Sequence, residues 1–263
     1  ATALSGRHQA DVLSRGDRGF GYSVHTALPQ TALLRFLHDS RLGLRLFDSQ
    51  NNHLCQATSL TIARQLGMPV VCETMYNPFA SAQQMAEHAN KLLSVLGGTY
   101  PDNMMPGVKD ASGTSTPKRA AETTYAILSM LRDRGVMTPR FSYHTHDSLG
   151  YGPQVYAAVR EVCQQMGVTL VAHVGFRPYA GGNANPDFEE VKSAMGLPVT
   201  PEERRLIQEY KKAADPVYEA YASVRTGMPK LTERMRKLVE MSNMPGGMIA
   251  TYVAQVQDAY QQV

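Results

Sequence analysis

The sequence predicts an α/β fold built on a parallel sheet, followed by a helical extension. In residues 1–190, short segments rich in apolar and β-branched residues alternate with longer helix-like segments. Such alternation is typical of a parallel sheet, either a closed barrel or an open doubly wound sheet. Residues 197–263 are strongly helical and contain no clear strand. We therefore expect a (β/α) domain over residues 1–196 and a helical extension over residues 197–263.

The expected strands are apolar runs that end in polar residues. They are Gly19–Val24, Leu42–Asp48, Met68–Met75, Met105–Lys109, Pro139–His146 and Val168–Val174. The helices expected between them are Thr31–Ser40, Cys55–Leu66, Ser81–Leu96, Thr116–Arg134 and Pro153–Met166. The last two helices begin at Thr-Pro and Gly-Pro sequences, and proline is favoured in the first turn of a helix.

Composition excludes several classes of protein. The chain has 263 residues, 43% of them hydrophobic, which is enough for a sizeable core. Its net charge is only +3 and no Lys/Arg run exceeds two residues, so we expect no nucleic-acid partner. The longest apolar runs are about four residues, against roughly 20 for a bilayer span, so we expect no direct membrane insertion. Three scattered cysteines fit the reducing cytoplasm, where we expect the protein.

Two histidines stand one residue apart in the expected strand FSYHTHDSLG. Because side chains alternate along a strand, His144 and His146 face the same way. In a barrel that face would be the interior at the carboxyl end, where barrel enzymes carry their sites. Two neighbouring imidazoles suit a divalent metal, although a hydrogen-bonded pair in a polar core is the alternative.

Other candidate residues also end expected strands. Lys109 lies between an apolar run and a Gly/Ser loop, and a buried lysine needs a partner or an altered charge state. It could pair with Asp110, or it could take up carbon dioxide and become an anionic carbamate that binds a metal. His173 is either a pocket residue or a core histidine, and Cys72–Glu73 could line a site.

The segments GVKDASGTSTPKRA and YHTHDSLGYGPQVYAAV resemble motifs of the carboxyltransferase domain of biotin-dependent enzymes. This family includes pyruvate carboxylase, the α subunit of oxaloacetate decarboxylase and the transcarboxylase 5S subunit. The segments LSRGDRGFGY, RLFDSQNN and MPGG are similar to further motifs of the family, in the same order along the chain. The resemblance extends over roughly residues 4–250.

The resemblance implies a TIM-type (β/α)8 barrel with a divalent metal, such as zinc, cobalt or manganese, at its C-terminal mouth. Near the N-terminus the barrel would be shortened or closed differently, because a strand-helix unit of the family is missing there. The implied metal ligands are His144, His146 and Lys109 in its carboxylated form. Arg15 would bind the substrate carboxylate, since a guanidinium matches a carboxylate bidentately.

The resemblance also implies substrate-binding roles for Gln9 and Tyr22, the latter at the keto oxygen or the biotin. Two positions depart from the family pattern. Gly6 stands where the family has an aspartate ligand, and Asn183 stands where it has a proton-carrying threonine. We nevertheless expect Asn183 to belong to the catalytic set.

The implied function is that of a carboxyltransferase or decarboxylase subunit acting on a 2-oxo acid such as oxaloacetate or pyruvate. Biotin would come from a separate carrier protein, within a homo-oligomer or a multi-subunit complex, since the chain has no Met-Lys-Met attachment sequence. Two alternatives remain open. One is a biotin-independent metal-dependent lyase or aldolase on the same barrel, which the changes at Gly6 and Asn183 favour. The other is a non-catalytic scaffold that has lost the metal.

Overall fold

The computed structural model describes residues 11–19, 26–177, 180, 184–220, 232–242, 244 and 252. Three of the expected site residues, Gln9, Tyr22 and Asn183, lie outside the described residues. So does the Pro-Gly-Gly sequence of the C-terminal region.

The described part of the chain contains one sheet of six strands in sequential order. The strands are β1 (Asp11–Ser14), β2 (Gly43–Leu46), β3 (Val70–Met75), β4 (Met104–Asp110), β5 (Arg140–Thr145) and β6 (Thr169–His173). They form a parallel sheet, with Leu44 opposite Val70 and Met75 opposite Lys109. A sequential order is that of a TIM-type barrel, whereas a doubly wound sheet reverses its order near the middle. The predicted α/β fold is confirmed.

A helix follows each strand in the described ranges. These helices are α1 (Ala27–Asp39), α2 (His53–Gln65), α3 (Ala82–Val95), α4 (Pro117–Asp133), α5 (Gly152–Gln165) and α6 (Phe188–Ala194). Two helices of the C-terminal region are α7 (Pro201–Ala220) and α8 (Glu233–Ser242). The two helices expected from Thr-Pro and Gly-Pro sequences begin at those signals. None of the helices in the described ranges is both long and apolar enough to cross a membrane.

The first described strand is one that the sequence pattern did not predict. The expected strand Gly19–Val24 falls mostly outside the described residues, and Gly19 itself closes a short 3-10 turn at Gly16–Arg18. The structure has β1 at Asp11–Ser14, paired with β2. This strand escapes pattern recognition because it is only four residues long and only its last residue, Ser14, is buried. Arg15 therefore directly follows a strand.

The face of the sheet that packs against the helices carries the apolar core. Leu44, Leu46, Val70 and Cys72 are almost fully buried against leucines of α1, α2 and α3. Each fully buried leucine contributes roughly 1.5–3 kcal/mol to folding. Because side chains alternate along a strand, the residues between them point to the opposite face of the sheet. That opposite face includes the charged residues Arg45, Glu73 and Lys109.

The chain divides into two compact units. The first comprises Ala1–Lys109, Arg119–Tyr143 and Val159–Ala172, and the second comprises Asp110–Lys118, His144–Ala158 and His173–Val263. The last residues of β4, β5 and β6 belong to the second unit, together with the loops that follow them. The domain boundary expected between residues 196 and 197 stays a prediction.

Candidate functional site

Three histidine side chains cluster in the second unit. His144 is the next-to-last residue of β5, His146 follows that strand directly, and His173 ends β6. The ring centroids of His144 and His146 are 5.1 Å apart, edge to face, and those of His144 and His173 are 5.9 Å apart. His144 is only 5% exposed. The structure thus adds His173, whose role the sequence left open, to the pair in the His-x-His motif.

The chemistry of this cluster fits a divalent transition metal, because neutral imidazole is a common ligand for such ions, zinc among them. Within the described ranges, however, no group of three or more His, Cys, Asp or Glu side chains is arranged to hold a metal ion. The pair of His144 and His146 could therefore supply two ligands to such an ion. A further ligand from the described chain would be a group of another kind.

Asp110 organises the loop after β4. Its side chain is fully buried, and Oδ1 accepts hydrogen bonds from the Ser112 hydroxyl at 2.9 Å and the Gly113 N–H at 2.8 Å. Oδ2 accepts from the Ser115 N–H at 2.8 Å and the Ser115 hydroxyl at 2.7 Å. The carboxylate that the sequence offered as a partner for Lys109 is thus engaged by its own loop. Alternation along β4 also directs the two side chains to opposite faces.

Lys109 belongs to the first unit and is 4% exposed. Its Nζ lies 5.2 Å from the centroid of the Phe47 ring, within the range of a cation–π interaction. Phe47 comes from the RLFDSQNN segment and directly follows β2. The buried position agrees with the expectation that this lysine is not a solvated surface residue.

A buried ion pair lies on the neighbouring strands of the first unit. Arg45 of β2 donates a hydrogen bond to Oε1 of Glu73 in β3, and the Glu73 side chain is fully buried. Burial raises the pKa of Glu73, while the positive charges of Arg45 and Lys109 oppose that rise. The sequence suggested that Glu73 ends a strand, but it lies in the middle of β3. A charged residue inside an apolar strand was the available signal.

The loop after β1 presents Arg15. Its side chain is partly buried, whereas Arg18 three residues later is exposed. Gly16 fixes the loop against α2, because it has φ +59° and a Cβ there would lie 2.6 Å from the Cys55 carbonyl oxygen. Only glycine accommodates that approach without a shift of the backbone. The three described residues Arg15, Lys109 and His144 all lie at carboxyl ends of strands.

A cavity of about 560 Å³ borders His146 within the second unit. Its other lining residues are mainly apolar or aromatic: Val174, Gly175, Phe176, Ala184, Asn185 and Tyr210. The rings of Phe176 and Tyr210 contact each other at a centroid distance of 5.4 Å. A small organic molecule fits such a space, since ligand cavities commonly measure about 300–1,000 Å³.

Solved structures of pyruvate carboxylase from Rhizobium etli are similar to this chain. Its carboxyl transferase domain with pyruvate matches at a TM-score of 0.73 and 20% identity, covering 95% of this chain and 41% of that one. The same domain with oxamate and biotin matches at a TM-score of 0.74 and 20% identity, covering 97% and 41%. The complete multifunctional enzyme matches at a TM-score of 0.71 and 19% identity, covering 97% and 23%.

The likeness is one of structure. No family model matches the chain, and no curated protein matches it in sequence. The chain spans about two fifths of the length of the carboxyl transferase domain structures that it matches. At about 20% identity, this similarity establishes that the chain shares the fold of the pyruvate carboxylase carboxyl transferase domain.

Proposed function

We propose that this chain is a metal-dependent carboxyltransferase or decarboxylase subunit that acts on a 2-oxo acid such as pyruvate or oxaloacetate. The observation that carries the proposal is the pair of imidazoles at the end of β5, of which His144 is buried and His146 partly buried. The fold in which they occur is that of a domain solved with pyruvate, and with oxamate and biotin. Fold alone does not assign function, so the proposal rests on the residues of the site.

In this proposal His144 and His146 hold a divalent ion, and carboxylated Lys109 supplies a third ligand. When bound, the ion polarises the keto oxygen of the substrate and stabilises the enolate. Water or an unassigned group would replace the aspartate ligand that Gly6 cannot supply. Three protein ligands and an open position are the usual arrangement of a catalytic metal site.

The remaining groups bind and orient the substrate. Arg15 pairs with its carboxylate, Tyr22 donates a hydrogen bond to its keto oxygen or to biotin, and Gln9 contributes a further polar contact. As the carboxyl group leaves, the electron pair of the broken C–C bond forms the enolate. Asn183 offers an amide hydrogen bond beside it. Biotin on a separate carrier protein would accept the carboxyl group at a ring nitrogen, and the proton displaced from that nitrogen would go to the enolate carbon to complete the 2-oxo acid product. In the reverse direction carboxylated biotin would supply the carboxyl group and take the proton back.

The experiment combines metal analysis with ligand binding. We expect the purified protein to contain or take up one equivalent of zinc, cobalt or manganese, and to bind pyruvate more tightly with the metal present. His144→Ala should abolish metal uptake. His38→Ala is the matched control, because that imidazole is exposed on α1.

The two alternatives give different outcomes. A protein that takes up metal and cleaves a 2-oxo acid without biotin would be a lyase, as the amide at position 183 favours. A protein in which wild type takes up no metal, and His144→Ala changes nothing, would be the non-catalytic scaffold. Either result contradicts the proposal.

A further inference from the structure

Thr145 lies between the two histidines of the His-x-His motif and points to the opposite face of β5. Its side chain is 1% exposed. Its hydroxyl lies 3.1 Å from Oδ2 of Asp110, to which it can donate, and 2.9 Å from the carbonyl oxygen of His146. Its main-chain N–H donates to the Tyr156 hydroxyl oxygen at 3.3 Å. One threonine therefore connects the histidine segment to β4 and to α5.

Tyr156 extends this connection to the third histidine. Its side chain is fully buried, and its hydroxyl donates to the carbonyl oxygen of His173 at 2.5 Å. The same oxygen accepts from the N–H of Thr145. The hydroxyl thus bridges the main chains of β5 and β6 at the residues that carry the imidazole cluster. A phenylalanine at this position would keep the ring and remove both hydrogen bonds.

Asp110 anchors the other end of the series. Its carboxylate is held by five donors from residues 112–115, and its carbonyl oxygen accepts from the N–H of His146 at 3.0 Å. The loop also approaches His146 closely, since a Cβ on Gly113 would lie 2.5 Å from the His146 carbonyl oxygen. The loop therefore holds the Asp110 carboxylate in place independently of its hydrogen bond to Thr145. From this fixed position Asp110 can determine where the histidine segment lies.

We propose that Asp110, Thr145 and Tyr156 are positioning residues that fix the spacing of the three imidazoles. The proposal rests on the metal-binding role of His144 and His146 given above. None of the three residues touches the metal, and all three act through the main chain of the histidine-bearing strands. Groups that orient metal ligands in this way typically change metal affinity about 10–100-fold when they are removed.

The test is cobalt titration followed by visible absorption, with thermal unfolding of the same samples. Tyr156→Phe and Thr145→Val should each weaken cobalt binding at least about tenfold and change the cobalt spectrum. Thr145→Ser keeps the hydroxyl and should restore the affinity. Thr124→Val is the matched control, because this fully buried threonine of α4 has no hydrogen-bond partner for its hydroxyl in the described structure.

The outcomes separate the two proposals. A wild-type protein that binds no cobalt overturns the proposed function and the positioning role together. Cobalt binding that is equally strong in wild type, Tyr156→Phe and Thr145→Val overturns the positioning role alone. The same conclusion follows if Thr145→Ser is as weak as Thr145→Val, or if the loss only follows the melting temperature and Thr124→Val shows it too.

Discussion

Two hydrogen bonds join the side chain of Asn51 to the main chain of Met75. They continue the pairing with β3 past the end of β2. The side-chain amide of Asn51 donates to the Met75 carbonyl oxygen and accepts from the Met75 N–H, both at 2.7 Å. Met75 is the last residue of β3 and lies opposite Lys109 in the register of the sheet. A side chain of the RLFDSQNN segment thereby fixes the strand end next to the candidate lysine.

Substitution of Asn51 should reveal both the hydrogen bonds and the backbone conformation. Asn51 has φ 57°, in the left-handed region that glycine and asparagine tolerate. Asn51→Gly should cost about 1–3 kcal/mol of unfolding free energy through the lost hydrogen bonds. Asn51→Ala should cost about 1–2 kcal/mol more, because it adds backbone strain. Urea unfolding measures both values, and equal losses for the two variants would contradict the strain argument.

Thr74 and His88 form a hydrogen-bonded pair, 3.0 Å apart, between β3 and α3. Burial lowers the pKa of His88 to about 4, with smaller contributions from His53 and Lys91. The folded protein therefore binds fewer protons than the unfolded chain between pH 6.5 and 4. The contribution of His88 to the free energy of unfolding should be fully present above pH 6.5 and should fall by about 3 kcal/mol as the pH drops to 4.

Unfolding at a series of pH values checks this expectation. His88→Gln should flatten the pH dependence between pH 6.5 and 4, whereas His38→Gln, at an exposed position, should leave it unchanged. If the unfolding free energies of wild type and His88→Gln changed equally with pH, other groups would cause the acid sensitivity.

Removing one partner of the Arg45–Glu73 ion pair should strongly destabilise the protein. Glu73 is fully buried and Arg45 is 14% exposed, so either charge alone would be left with little solvent. Arg45→Met or Glu73→Gln should each lower the unfolding free energy by about 3–5 kcal/mol. The double variant Arg45→Met/Glu73→Gln should lose less than the sum of the two, as a double-mutant cycle measures.

An exposed pair provides the comparison. Arg205 and Glu209 form an ion pair on α7 with both side chains more than half exposed. Arg205→Met should change stability little, because solvent screens the interaction. If Arg45→Met were as mild as Arg205→Met, the buried pair would not be a determinant of stability.

The sequence predicted most strands and helices because apolar runs and proline signals mark their limits. Contacts between particular side chains could not be predicted in this way. Nothing in the sequence indicates that Asp110 binds residues 112–115 and Thr145, or that Tyr156 reaches the carbonyl of His173. Those partners are set by how helices and loops pack on the sheet. The His-x-His pair could be identified because strand alternation alone places both rings on one face.

Arg15 is expected to bind the carboxylate of a 2-oxo acid. It is partly buried at the end of β1, in a loop that Gly16 holds against α2. A charge-assisted bidentate pair in such a place contributes more than a neutral hydrogen bond. Arg15→Lys should weaken pyruvate or oxamate binding by about 2–5 kcal/mol, because an ammonium lacks the planar fork. Isothermal titration calorimetry with the metal-loaded protein measures the loss.

The control for this prediction is three residues away. Arg18 is exposed in the same loop, so Arg18→Lys makes the same chemical change without touching a partly buried guanidinium. We expect pyruvate affinity to be unchanged in Arg18→Lys and to fall at least about thirtyfold in Arg15→Lys, which corresponds to the lower limit of 2 kcal/mol. Equal and small effects in the two variants would show that Arg15 is a solvated surface residue that does not bind the carboxylate. A guanidinium that stays hydrated gains nothing from its geometry when the ligand binds.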